Sequence, residues 1–392
     1  MPEALDWTDR VLELEVGPIA HGGHCVARFG EGPGRVVFVR HTLPGERVRA
    51  VVTEDGGGAF CRADTIAVLR AAPGRVDPPC VWARAGGCGG CDLQHATPAA
   101  QRALKTAVVR EQLHRLAGID ADVEVEELPG GPLGWRQRVR LAVDDEGRAG
   151  LRAHRSHEVL PIADCLLAPP GSLPPVLAEA FPPGAEIEVA VDADGAQHVD
   201  RGDGAGGPLV QWAAGREWRL SPGTFWQVHP ALADILAEVV GEWAAAPRGG
   251  TAWDLYGGVG LFAAVLAGQV GPGGAVTVVE SSRRSVEDGR AALADLPQVS
   301  WQVGRVERVL GGLTGSPDVV VADPPRKGLG RAMVDALCGR APDRVVHVAC
   351  DPAALARDVA LFADRGYRLA QLRAFDAFPM THHMECVALL TR

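Results

Sequence analysis

From Leu12 to about Thr53 apolar and polar positions alternate in short runs broken by glycine and proline. LELEVGPIAHGG, HCVARFG, RVVFVRHTLPGERV and RAVVTED each put apolar residues on one face, the period of half-buried strands. Gly22, Gly23 and Gly30 fall in the turns between them. The pattern predicts a small antiparallel, OB-like β-barrel and an amino-terminal domain over residues 1–65. Barrels of this kind contact RNA, and Arg28, Arg35, Arg40, Arg47 and Arg49 are candidate phosphate contacts. The plain alternative is a solubilising β domain.

A cysteine-rich segment runs from Cys80 to His95. Thr97 and Pro98 then read as the cap and first turn of a helix, with Leu104, Val108, Leu113 and Leu116 at roughly helical spacing and Gly118 as its stop. Alternation returns in WRQRVRLAVDD and EIEVAVDAD, joined by connections such as APPGSLPP and RGDGAGGP. Residues 66–220 are therefore expected to form a central β-rich domain, with the helix at about 98–117 packing on the domain that follows.

From about Ser221 the rhythm changes to strands alternating with helical segments: TAWDLY, AVTVVE, DVVVAD, RVVHVAC and ECVALL are short apolar strands. That order predicts an α/β domain, a doubly wound, mostly parallel, Rossmann-like sheet over residues 221–392.

A length of 392 residues favours two or three domains. A 47% hydrophobic and 22% charged composition fits a globular chain without a membrane span, and the start lacks the layout of a secretory signal, so a cytoplasmic location is expected. The net charge of -10 argues against a uniformly basic nucleic-acid surface but leaves room for a local one. Nine cysteines are an odd number and, in that compartment, unsuited to structural disulfides; metal binding or catalysis is expected of some.

Asp254-Leu255-Tyr256-Gly257-Gly258-Val259-Gly260 runs from a strand end through a Gly-rich turn into a helix, and Glu280 ends the next strand, where an acid binds both ribose hydroxyls of an adenosine. A helix-capping acid is the bland reading. The G-x-G-x-x-G spacing and a phosphate-binding lysine are both absent from this turn, which favours an adenosine cofactor without phosphate, S-adenosylmethionine, over NAD or ATP.

Two further strand ends carry candidate chemistry. Asp323-Pro324-Pro325-Arg326 follows VVVAD, and Cys350 ends RVVHVAC directly before Asp351-Pro352, a helix cap and first turn. A helix amino terminus favours a thiolate, although Asp351 opposes it. A thiolate suits a methyl transfer to uracil, because sulfur addition at C6 makes C5 nucleophilic, after which a base must remove the C5 proton. Glu385, near the end of DAFPMTHHME, is the candidate base, and His383 a ring or phosphate contact. Cys350 could equally be a buried strand cysteine and the histidines ordinary loop residues.

With GGCGGCDLQHA, TFWQVHP, DLYGGVGLF, VVVADPPRKGL, VACDPAALARD and FPMTHHMECVALL in order along nearly the whole chain, the sequence resembles the RNA 5-methyluridine methyltransferases with an amino-terminal TRAM domain and a central iron–sulfur domain. The resemblance implies a uracil-C5 methyltransferase acting on structured RNA, tRNA or rRNA, without a membrane or an obligate protein partner. It implies Gln227, Tyr256, Glu280 and Asp323 at S-adenosylmethionine, Cys350 as nucleophile, Glu385 as base and Arg326 near the substrate. Cys80, Cys88, Cys91 and Cys165 would hold a [4Fe-4S] cluster; four thiolates also suit zinc, which spacing does not exclude. The chain departs from the pattern at Gly257, where relatives usually carry Cys, at Leu261 and Asp351, where Asn is common, and at Gly304-Arg305. Two other functions fit parts of the sequence: methylation of an exocyclic amine oriented by Asp323-Pro324-Pro325, and RNA binding or folding assistance by a decayed methylase.

Overall fold

The computed structural model describes residues 6–30, 34–202 and 207–392. The extreme amino terminus and the middle of the RGDGAGGP connection lie outside them. In the barrel, β1 (Val11–Ala20), β2 (His24–Phe29), β3 (Arg35–Arg40), β4 (Arg47–Asp55) and β5 (Phe60–Arg70) close in the order β1-β2-β3-β5-β4. Leu12, Leu14, Val37, Val39, Val48 and Val52 fill its interior, as the alternation requires. The expected all-antiparallel pairing is corrected at one seam, because β3 and β5 are parallel. A ring of five strands cannot alternate direction all the way round, so one parallel neighbour is forced. The barrel arginines are mostly engaged within the fold. Arg35 donates to Asp55 at 2.7 Å, Arg40 is buried beside Asp64 and Asp92, and Arg47 pairs with Glu13.

The predicted helix α1 spans Pro98–Ala117, with the Thr97 hydroxyl accepting from the Ala100 N–H and Gly118 in the left-handed conformation at its end. Leu104, Val108 and Leu113 are buried, while Leu116 in the last turn is partly exposed. β6 (Val125–Glu126) follows. Then β7 (Arg138–Val143), β8 (Ala149–Arg152), β9 (Val159–Leu160), the short α2 (Pro174–Leu177), β10 (Glu186–Val191) and β11 (Gln197–Asp200) build a sheet of order β11-β10-β7-β8-β9. β12 (Leu209–Ala213) and β13 (Arg216–Leu220) form a separate hairpin.

The carboxyl-terminal half contains α3 (Leu232–Ala244), β14 (Thr251–Leu255), α4 (Leu261–Val270), β15 (Ala275–Glu280), α5 (Arg283–Ala292) and β16 (Val299–Val303). After α6 (Val306–Val309) come β17 (Val319–Ala322), α7 (Gly330–Arg340), β18 (Arg344–Ala349), α8 (Pro352–Ala363), β19 (Arg368–Phe375) and β20 (Glu385–Thr391). The strands form one sheet of order β16-β15-β14-β17-β18-β20-β19-β6, parallel from β16 to β18 and antiparallel at β20. Unbroken burial along β17 reflects helices on both faces. The chain reverses its direction of travel across the sheet at β14, so a crevice opens at the carboxyl ends of β14 and β17. β6 adds to the far edge of the same sheet through β19, and α1 packs against α8. This stretch, which precedes the central sheet in sequence, is thereby built into the carboxyl-terminal layer system.

Candidate active site

At the end of β14 the buried Asp254 accepts a hydrogen bond from the Ala263 N–H at 2.9 Å, which ties the strand to the first turn of α4. Tyr256, at φ +60°, begins the turn between them. A Cβ on Gly257 would stand 2.6 Å from Val278 Cγ1 and 2.9 Å from Asp254 Cγ, so the glycine that replaces the expected cysteine is demanded by close packing on β15. The Glu280 carboxylate accepts from the Gly258 N–H at 3.0 Å and the Ser282 N–H at 2.6 Å. These bonds fix it at the strand end and leave lone pairs for further hydroxyl donors.

One position further along the sheet edge, the Asp323 N–H donates to the Leu255 carbonyl at 3.3 Å. Cys350 follows β18, and Asp351 caps α8 by accepting from the Ala354 N–H at 2.8 Å, with Pro352 in the first turn as expected. β18 runs antiparallel to β20 with Ala349 opposite Cys386, so Cys350 and Glu385 emerge side by side. Both line one cleft of about 820 Å³ that also receives Gln227, Tyr256, Glu280 and Asp323. Arg326 and His383 line it too, 3.5 Å apart between Nη2 and Nε2. The cleft thus brings together the catalytic and cofactor candidates with Arg326 and His383, while the barrel arginines suggested for phosphate contact are not among its lining.

The loop before β20 is anchored from α1. The Lys105 ammonium lies 2.5 Å from Asp376 Oδ1 and donates to the Phe378 carbonyl at 3.1 Å, with Lys105 and Asp376 both buried. Gln101 Oε1 accepts from the Met380 N–H at 2.8 Å.

Burial and mutual repulsion set the electrostatics. Burial raises Asp323 to about 7, a shift that His347 partly offsets. Burial and the Asp323 charge hold Glu385 well above the usual carboxylate range. The Cys350 thiol is pushed up to about 11 by burial, Glu385 and Asp323, against the attraction of Arg326. In the free protein the thiol form therefore prevails, because removal from water and two carboxylates outweigh the pull of the helix end. Burial, His382 and Arg326 lower His383 to about 3, so its imidazole is neutral near pH 7.

Sequence reasoning passed over three contributors to the cleft. Phe225 lines it although 62% exposed, and Arg136 and Arg138 reach it from the start of β7. Arg138 donates to the Thr224 carbonyl, while its Nε and Nη2 are buried without a partner. The alternation in WRQRVR was the available signal, since it sets Arg136, Arg138 and Arg140 on one face.

Cys80, Cys88, Cys91 and Cys165 line a second, smaller cavity with Trp82, Gln94 and several aliphatic side chains. The Gly90 N–H points to Cys88 Sγ at 3.3 Å and Gln94 Nε2 to Cys91 Sγ at 3.1 Å. A Cβ on Gly87 would lie 2.1 Å from the Trp82 carbonyl oxygen, so the chain turns tightly here around the cysteines only because this residue is glycine. Burial raises Cys88 and takes Cys91 to about 12. Among the described residues no group of three or more His, Cys, Asp or Glu stands in metal-holding geometry. The shared cavity therefore establishes that the four thiols are neighbours, and nothing about what they bind. No helix among the described residues is long and apolar enough to cross a membrane.

A doubly wound sheet with a Gly-rich turn, an acid at the end of the next strand and a cleft at the switch point is the architecture of a nucleotide-cofactor enzyme, and its similarity to known proteins makes it an S-adenosylmethionine-dependent methyltransferase. The family model for tRNA (Uracil-5-)-methyltransferase matches residues 315–392, and that for the TRAM domain matches residues 9–58. An uncharacterized RNA methyltransferase of Streptomyces avermitilis is 46% identical, over 96% of this chain and 97% of its own. The 23S rRNA (uracil(1939)-C(5))-methyltransferase RlmD of Chromohalobacter salexigens is 34% identical, over 97% of this chain and 89% of its own. A crystal structure of the Pyrococcus abyssi tRNA (uracil-54, C5)-methyltransferase with S-adenosyl-L-homocysteine shares the fold, with a TM-score of 0.72 at 21% identity over 97% of this chain and 100% of that one. The chain belongs to the RNA (uracil-C5) methyltransferase family and carries its TRAM domain. Membership sets aside both the exocyclic-amine and the decayed-methylase readings.

Proposed function

We propose that this chain methylates C5 of a uridine in structured tRNA or rRNA through a covalent bond from Cys350 to C6, with Glu385 as base. The observation that carries the reading is the shared cleft, in which the thiol and the two carboxylates face the same space as Glu280 and Tyr256. S-adenosylmethionine, when bound, supplies the electrophilic methyl group. Glu280 would hold the ribose hydroxyls, with Gln227, Tyr256 and Asp323 around the rest of the cofactor. The target base, flipped from its stack, would enter between Cys350 and Asp323.

Once the Cys350 thiol has given up its proton to solvent in the cleft, addition of Sγ to C6 breaks the C5–C6 double bond and leaves its electron pair at C5, which would take the methyl group, the cofactor leaving as S-adenosylhomocysteine. The Glu385 carboxylate then removes the C5 proton, the double bond re-forms, and the Cys350 thiolate departs. Its raised proton affinity suits Glu385 to that acceptance. Arg326 would lie near the uracil edge, where its cationic charge favours the enolate and the leaving thiolate alike. His383, being neutral, would contact the ring rather than a phosphate. Arg136 and Arg138 would meet the RNA backbone, a local basic strip in an acidic protein.

The four cysteines Cys80, Cys88, Cys91 and Cys165 would hold a [4Fe-4S] cluster with a structural role. The donor set fits: four thiols on one cavity, with N–H groups aimed at two of the sulfurs. Zinc would satisfy the same thiols, and acid-labile sulfide in anaerobically purified protein separates the two. Free thiols and an RNA substrate fit a cytoplasmic location.

RNA containing 5-fluorouridine tests the mechanism, because fluorine cannot leave as a proton. A stable adduct on the Cys350 peptide is expected, together with loss of one 5-methyluridine from the RNA of a deletion strain. Unchanged 5-methyluridine and no adduct would overturn the proposal.

A further inference from the structure

The barrel reaches the helix that follows Cys350 through one pair of side chains. His21, in the turn between β1 and β2, sets its Nε2 3.0 Å from Asp351 Oδ2. The other oxygen of Asp351 caps α8 through the Ala354 N–H, so this carboxylate joins the start of the helix to a different domain. The approach is close: a Cβ on Gly23 would stand 2.9 Å from His382 Cβ and 3.2 Å from Asp92 Cβ. His382 is itself held by Asp92, with Nδ1 and Oδ2 2.6 Å apart. The turn is wedged between the nucleophile's helix and the loop that leads to Glu385.

Asp351 poses a chemical problem for the residue before it. Glu385 and Asp323 already disfavour a negative charge on the Cys350 sulfur, and Arg326 alone among the named neighbours favours it. A free carboxylate at 351 would add a third opposing charge. His21, the Ala354 N–H and Arg357 all stabilise the ionised Asp351 carboxylate, and His21 makes the closest ion pair with it.

We infer that His21 is a positioning residue for Cys350: its imidazole ties the barrel to the start of α8 and offsets the carboxylate that this chain carries beside its thiol. The inference rests on Cys350 being the nucleophile. The tie to α8 needs only an Nε2–H donor, whereas the imidazolium in addition brings a compensating charge.

The test compares the full-length wild type with His21→Ala, Asp351→Asn and the double variant. Iodoacetamide labelling of the Cys350 peptide is followed by mass spectrometry at about pH 8. His21→Ala should slow labelling about tenfold, the factor of about one pKa unit. The double variant should return to within about twofold of wild type, because Asn caps a helix as well as Asp and carries no charge. With RNA, His21→Ala should lower the rate of adduct formation at saturation and leave the apparent KM unchanged. Wild-type labelling in His21→Ala, equal slowing in the double variant, or a change confined to KM would each overturn the inference. Absence of any 5-fluorouridine adduct on wild-type Cys350 would instead remove the nucleophile reading on which it stands.

Discussion

Cys350 and two of the cysteines around the smaller cavity, Cys88 and Cys91, share one property and differ in another. Burial pushes Cys350, Cys88 and Cys91 all upward, so a raised thiol does not by itself mark a nucleophile. Cys350 faces two carboxylates and a guanidinium across an open cleft, groups able to move protons and stabilise charge. Cys88 and Cys91 face the other thiols, N–H donors and mostly apolar side chains, with Asp164 the one carboxylate on the lining. What a thiol does is set by its partners.

Substitutions in the two regions should separate these roles. Cys350→Ala should lower turnover at least about 10⁴-fold and abolish the 5-fluorouridine adduct, as loss of a covalent nucleophile does, while metal and sulfide content stay at the wild-type level. A comparable loss from Cys165→Ser alone would erase the contrast. Glu385→Gln is expected to cost about 10² to 10⁴-fold, the range of a general base. Here the adduct should accumulate, since addition and methyl transfer precede proton removal; quantifying trapped RNA on gels distinguishes this from failure to add.

The anchor of the Glu385 loop offers a test through stability. Lys105→Met would leave Asp376 buried without its ammonium partner, a loss of about 3–5 kcal/mol by chemical denaturation. If the proposed cluster is present, Cys91→Ser should release it and lower turnover only about tenfold. It acts through the fold: the Asp92 and Leu93 N–H groups donate to the Met380 carbonyl at 3.0 Å, so the cysteine-rich segment braces the same loop. Iron and sulfide assays beside turnover on the same sample decide it.

The sequence showed local chemistry more clearly than long-range closure. α1 was readable to the residue because Thr97, Pro98 and Gly118 are local signals. The apolar runs gave β14, β15, β17, β18 and β20, whereas β16 and β19 were not named: both lie towards the outside of the sheet and are half exposed, which dilutes their pattern. The parallel β3–β5 seam follows from a count of five strands, and the fifth strand was not recognised as one. Cys350, Glu385 and Asp323 stood out because each sits at a strand end beside a recognisable turn. Arg138 did not, because its guanidinium, with Nη1 on the Thr224 carbonyl and Nε and Nη2 buried without a partner, shows only when β7 is placed against Thr224. The His21–Asp351 pair joins residues 330 positions apart in sequence, and no local pattern announces it.

The smallest expected effect concerns how the free protein holds its thiol. With Cys350 raised to about 11, its labelling rate should climb with pH throughout the range from about pH 6 to 10, because each step adds thiolate without reaching saturation. Asp323→Asn removes one of the two carboxylates that oppose the thiolate, so labelling should become faster. The gain should stay below about tenfold, or about one pKa unit, because loss of the Asp323 charge also lets Glu385 ionise more readily and take over part of the repulsion. The size of the gain depends on pH. Asp323 is raised to about 7 by burial, so below that value it is protonated, carries no charge, and its replacement by Asn changes little. The two curves should therefore coincide on the acid side and part above pH 7. Parallel displacement across the whole range would mean that the substitution acts on access to Cys350 rather than on its charge environment, and the electrostatic contrast with the cysteine cavity would lose its basis.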